Sequence, residues 1–252
     1  MMSGTTVGSL IAGSIITVLG TGAVFVSLAA LYCVAVFLLR GMAATDRTKP
    51  AAEDLDLMRD LKAGLRYVRS HRTLLSVLGI TVVMNLFYFS FMPMVPIFGD
   101  RLHVNAFWSS FLLSGYGLGS IAGASGIARG LPIRRGWVYA GGCVVALPSL
   151  FFFAAVGWYP AALLLLFMAG VGIAGFSTMQ SVLVMIGSDD AMRGRALGML
   201  SMCIGALPFA MLMLGGLATA IGPSGAVMTS TAVGLIALAG FAVARPEATK
   251  LA

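Results

Sequence analysis

Apolar runs of about twenty residues fill most of this chain, and that is the length a membrane-spanning helix needs. The runs cover residues 4–19, 23–39, 73–98, 104–128, 137–156, 161–186, 196–220 and 224–244. Short turn-forming or polar breaks separate them, among them Gly20-Thr21-Gly22, the aromatic turn Gly157-Trp158-Tyr159-Pro160 and Gly222-Pro223. Hydrophobic residues make up 59% of the chain and charged residues only 10%, where a soluble domain carries about 25% charged residues. A soluble fold of this composition would expose large apolar patches. The expectation is an all-α polytopic membrane protein of about eight transmembrane helices in a lipid bilayer.

The loop charges test that count. Alternate loops lie on the same side of a membrane. One set consists of residues 41–72, 129–136 and 187–195 and the tail 245–252. With Arg40, it holds fifteen of the sixteen Lys and Arg residues, and the other set holds only Arg101. Basic loops stay in the cytoplasm, so both termini are expected there, in a plasma (bacterial inner) membrane. The same distribution accounts for the net charge of +7 without nucleic acid, because the bases form no single basic face.

Residues 41–72 are the one long polar segment. Within it Leu57, Met58, Leu61, Leu65 and Val68 fall at helical spacing, which predicts an amphipathic helix over residues 53–70. Its apolar stripe suits either the inner membrane surface, with its bases on anionic lipid, or the underside of the helix bundle. Cys33, Cys143 and Cys203 all fall in apolar runs without metal-ligand spacing, so they read as small hydrophobic residues. No metal or other cofactor is expected. Residues 1–6 carry no positive region, so no cleaved signal peptide is expected. An enzyme would need clustered ionisable groups near an interface. The two histidines, His71 and His103, fall on opposite sides of this topology, so no catalytic residues are expected.

Glycines such as Gly119, Gly123, Gly170, Gly172 and Gly175 lie inside the runs. In lipid, such small residues let helix backbones approach closely. Pro93, Pro96, Pro148 and Pro208 lie inside or near the ends of runs, where they break the backbone ladder locally. No Asp, Glu, Lys or Arg lies within the interior of a run, so the chain has no evident proton-coupling carboxylate. The candidates for contact with a small-molecule substrate are therefore uncharged: Asn85, Tyr88, Ser114, Tyr116 and Gln180. A few such groups among aromatic walls would suit an amphipathic compound. The same groups would equally serve as hydrogen bonds between helices.

Four stretches resemble one family. Residues 60–69 with His71-Arg72 look like the lead-in to its seventh helix. Asn85-Leu86-Phe87, with residues 92–98, is similar to that helix. Ser114 to Gly119, with Gly123, is similar to the eighth. Met192 to Gly198, with Pro208 and Gly215-Gly216, resembles the eleventh. The family is the major facilitator superfamily, in its branch of drug and siderophore exporters typified by the enterobactin exporter. The resemblance implies export of small amphipathic compounds by alternating access between two six-helix halves, with H⁺ as the coupling ion. It also implies a division of the chain. Residues 1–40 would be the last two helices of the first half, 41–72 a cytoplasmic bridge, and 73–252 the second half.

On that reading four helices are missing, through a truncated gene, a wrong start codon or a fragment. The alternative is a natural eight-helix protein that dimerises. The missing helices or a second chain would then be partners, and the 252 residues alone would not transport. A non-transporting half-transporter or membrane scaffold is the rival function. The resemblance also points to a cytoplasmic gate of Arg129, Arg134, Arg135, Asp190, Arg193 and Arg195. Their bland alternative is charge that orients the protein in the membrane.

Overall fold

The computed structural model describes residues 2–40, 57–130 and 134–244, and every element among them is helical. In chain order these are α1 (Met2–Leu19), α2 (Thr21–Arg40), α3 (Leu57–Ser70), α4 (Arg72–Phe87), a 3-10 segment (Phe89–Met94), α5 (Val95–Arg101), α6 (Ala106–Ala128), α7 (Arg135–Ala155) and α8 (Tyr159–Ile186). A 3-10 turn (Asp190–Met192), α9 (Arg193–Ile204) and α10 (Leu207–Ala244) complete the described chain. Six stretches are long and apolar enough to cross a membrane. The last of them runs 53 residues, 190–242, or about 80 Å if straight. A hydrocarbon core is only about 30 Å thick, so this stretch folds back on itself. The reversal is at Gly222, whose φ of 79° and ψ of 159° leave the helical region. Only glycine adopts such a backbone without strain, and Pro223 then restarts the helix.

Two spans expected to be continuous are interrupted. The run 73–98 contains the 3-10 segment, because Pro93 and Pro96 have no N–H to give to the carbonyls of Phe89 and Met92 four residues back. The run 196–220 is likewise divided after Ile204. Pro208 cannot donate to the Ile204 carbonyl, and α10 restarts at Leu207. Two loops are also shorter than expected. Arg135 opens α7, and Arg193 and Arg195 lie in the first turn of α9.

Packing centres on α8, with α6 and α7 laid along it. A Cβ on Gly123 would come 2.7 Å from the Val171 carbonyl oxygen, and one on Gly172 would come 2.6 Å from that of Gly142. Gly119 and Gly170 leave no more room, against the carbonyls of Phe167 and Tyr116. Glycine is needed at these positions because the neighbouring atom is backbone, which cannot move aside. The second half of α10 covers α4 and α7, with Gly234 against the Phe87 side chain at 2.9 Å. On the other flank α1 packs along α6, where Gly13 meets Ser110. No residue in the apolar window of α2 is buried.

The amphipathic helix α3 is present, and part of its apolar stripe meets the bundle. It docks beneath the bundle against α9. Val68 is buried, and Gly64 would place a Cβ 3.3 Å from Met199. Residues 53–56 of the expected helix lie outside the described residues.

Candidate functional site

The interruption after α4 sits beside the polar residues of the same span. Asn85, one turn above, donates its Nδ2 to the Thr81 carbonyl at 2.9 Å. Thr81 is the centre of a buried network. Gln180 on α8 donates Nε2 to Thr81 Oγ1 at 3.0 Å, while Thr81 donates to the Val77 carbonyl at 2.9 Å. Tyr139 on α7 places its hydroxyl 3.2 Å from Thr81 Oγ1 and donates to the Val77 carbonyl at 2.9 Å. The Tyr139 ring stacks on Phe176 at 5.2 Å. Three helices are thus joined where no water satisfies polar groups. Both amides are held through their NH₂ ends.

A second cluster lies on the far side of the break. Tyr88 donates to the Ala169 carbonyl at 3.1 Å, and Phe91 stands edge-on between Tyr88 and Tyr116 with ring centroids 5.6 and 6.1 Å away. The buried hydroxyls of Tyr116 and Ser120 make no hydrogen bond of good geometry, and that of Tyr116 lies beside the Tyr88 hydroxyl. An unmet buried hydroxyl costs about 1–3 kcal/mol, which makes both of them ready acceptors of a partner. Ser114 is fully buried and donates within its own helix to the Ser110 carbonyl at 3.1 Å.

The structure therefore brings Asn85 and Gln180 together through Thr81, and Tyr88 and Tyr116 together through Phe91. Cavities of about 410, 330 and 230 Å³ are present among the described residues, and none of these five residues lines any of them. Thr81 and Tyr139 were not singled out from sequence. Thr81 carried one available signal, its position four residues before Asn85 on the same helix face.

The gate candidates fall into two groups. Asp190 pairs with Arg193 at 2.7 Å, and Arg193 also donates Nε to the Met185 carbonyl at 3.4 Å. Arg195 points to the Met192 sulfur at 3.5 Å. Beside them the Tyr67 hydroxyl donates to Asp189 Oδ2 at 3.0 Å and accepts from the Asp189 amide at 2.9 Å. This joins α3 to the turn ahead of α9, and Tyr67 is a residue the sequence reading passed over. Arg129 caps the end of α6, while Arg134 and Arg135 begin α7, and all three are exposed. No ion pair joins the two groups among the described residues. A cation at a helix start opposes the helix dipole, so helix stability does not explain Arg135, Arg193 or Arg195. On the opposite end of the bundle Arg101 donates to the Ala154 carbonyl at 2.8 Å and to Ser224, tying α5 to α7 and α10.

A family model described as Major Facilitator Superfamily matches residues 1–205. The chain belongs to the major facilitator superfamily. No curated protein and no solved structure matches it. Members of this superfamily are membrane transporters rather than enzymes. That agrees with a bundle whose polar side chains bind helices to one another and whose candidate contacts carry no charge at membrane depth.

Proposed function

We propose that this major facilitator protein exports small amphipathic compounds of drug or siderophore type by alternating access. The observation that carries the reading is the interruption of the span at residues 89–94, preceded by Asn85 and Tyr88, with Tyr116 packed on it through Phe91 and Gln180 bonded two turns earlier at Thr81. Transporter sites are typically built where a spanning helix is discontinuous, because the freed backbone and its polar neighbours bind the substrate. Asn85 and Gln180 offer amide oxygens, Tyr116 offers an unmatched hydroxyl, and Tyr88 supplies aromatic wall. Ser114 is the weakest of the five. H⁺ coupling rests on the resemblance alone, since no carboxylate lies inside these spans to carry a proton.

On this proposal residues 41–72 form a cytoplasmic bridge between residues 1–40 and the six-helix unit 73–252. The protein lies in a bacterial inner membrane with both termini inside. Arg129, Arg134, Arg135, Asp190, Arg193 and Arg195 stand at the cytoplasmic gate. The Asp190–Arg193 ion pair supports the last assignment.

Saturable binding of an amphipathic dye to the protein in nanodiscs tests the site. Asn85→Ala and Gln180→Ala are expected to weaken it severalfold with helix content intact. Gradient-driven dye movement in vesicles tests transport by the chain itself. Binding without movement under any gradient favours the non-transporting rival. Absence of saturable binding to a folded protein overturns both the site and the exporter reading.

A further inference from the structure

Because α6 and α7 both pack on α8 through glycines, they leave an apolar groove of about 410 Å³ along their near ends. Ile127, Trp137, Val145 and Val171 line it, together with Gly126 and Gly141. A Cβ on Gly126 or Gly141 would meet nothing within 4 Å, so these two glycines keep the groove open rather than close a helix contact. Trp137 and Val145 on its rim are 57% and 43% exposed. In a membrane-spanning segment that exposure is to acyl chains, and an exposed Trp at a span end sits at the headgroup level.

The charge at the groove's end selects what fills it. Arg129 follows Gly126 by three residues, and Arg134 and Arg135 precede Trp137 by three and two. All three are exposed. No salt bridge to any of the three is found among the described residues, while Asp189 is bonded to Tyr67 and Asp190 to Arg193. The start of α7 adds its own positive dipole end. An anionic head with an apolar tail matches this arrangement, and basic pockets between spanning helices on the cytoplasmic side take anionic lipid headgroups.

We infer that this groove is a binding site for an anionic phospholipid, with the phosphate at Arg129, Arg134 and Arg135 and one acyl chain laid along Gly126 and Gly141 past Trp137. The site is separate from the proposed transport site, none of whose five residues lines it.

Quenching of Trp137 tests the inference. Trp108 and Trp158 lie at the other end of the bundle, so Trp108→Phe with Trp158→Phe leaves Trp137 as the reporter. The protein is reconstituted in phosphatidylcholine vesicles with a small fraction of acyl-brominated lipid, either phosphatidylglycerol or phosphatidylcholine. Brominated phosphatidylglycerol is expected to occupy the site in preference, by on the order of tenfold given three nearby arginines. Replacing Arg129, Arg134 and Arg135 with Gln should abolish the preference. Gly141→Leu should lower quenching by both lipids, because its side chain enters the groove from a position where a Cβ meets nothing within 4 Å. Lys62→Gln with Arg66→Gln on α3 should change neither. Equal quenching by the two lipids in the parent protein means bulk lipid only and overturns the site. So does a preference that survives the triple Arg change, or one lost equally in the α3 control.

Discussion

The long helix α8 and the interrupted span 72–101 are built from similarly apolar sequence and meet in the same bundle, yet one is continuous for 28 residues and the other is broken. The difference is glycine against proline. Gly170, Gly172 and Gly175 keep their N–H groups, so α8 stays hydrogen-bonded while its neighbours approach to backbone contact. Pro93 and Pro96 remove donors, so the ladder fails locally and the chain tightens into a 3-10 turn. Glycine thus makes the bundle's rigid axis, and proline makes irregular backbone within a span, here and again at Pro208. Asn85 and Tyr88 stand at the second feature, and Gln180 reaches the same span from the first through Thr81.

The strongest way to break this contrast is Gly172→Val. Its Cβ would meet the Gly142 carbonyl oxygen at 2.6 Å and the Ala146 nitrogen at 2.7 Å, both backbone. Overpacking of this kind costs about 1–3 kcal/mol or more, and the protein is expected to lose its folded fraction in detergent, read by size exclusion. Gly215→Val, on a glycine with nothing within 4 Å, should leave that profile unchanged.

Next in size is Thr81→Val, which removes the acceptor for Gln180 and the neighbour of the Tyr139 hydroxyl. A stranded buried donor costs about 1–3 kcal/mol. A melting temperature within error of the parent would show that the network does not hold α4 to α8. Tyr67→Phe should cost about 1 kcal/mol through two lost hydrogen bonds to Asp189. Faster protease cleavage within the segment 41–72, with the bundle's melting unchanged, is the expected signature. Smallest is Asp190→Ala. Its pair with Arg193 joins side chains 91% and 40% exposed, and exposed pairs contribute about 0–1 kcal/mol. An unchanged melting temperature is expected, so a large drop would mean that this pair carries load the bundle does not show.

Legibility followed the physics of each feature. The Gly222-Pro223 break was plain, since that dipeptide cannot continue a helix and no neighbour is needed to say so. The break at residues 89–94 was blurred, because hydropathy over 73–98 is uniform and proline inside a membrane helix is compatible with either a kink or a full interruption. The amphipathic stripe of α3 was visible, but what it packs on was not, since lipid and α9 present the same apolar surface to it. Asn85 and Gln180 stood out because amides are rare in such runs. Thr81 and Tyr139, which join them, did not, since threonine and tyrosine are ordinary there. Arg129, Arg134 and Arg135 were legible as basic loop charge, while the groove they end on was not.

Apolar run length, basic loop placement and the glycine and proline positions already dictate a polytopic helical protein, because the backbone must satisfy itself inside lipid and those residues alone set where it bends. Which side chains meet was decided only by the packed bundle. Thr81 and Gln180 are 99 residues apart, and their contact depends on how far α4 and α8 are rotated about their own axes. The glycine contacts along α8 set that rotation together with every helix that touches it, and no local stretch of sequence specifies it.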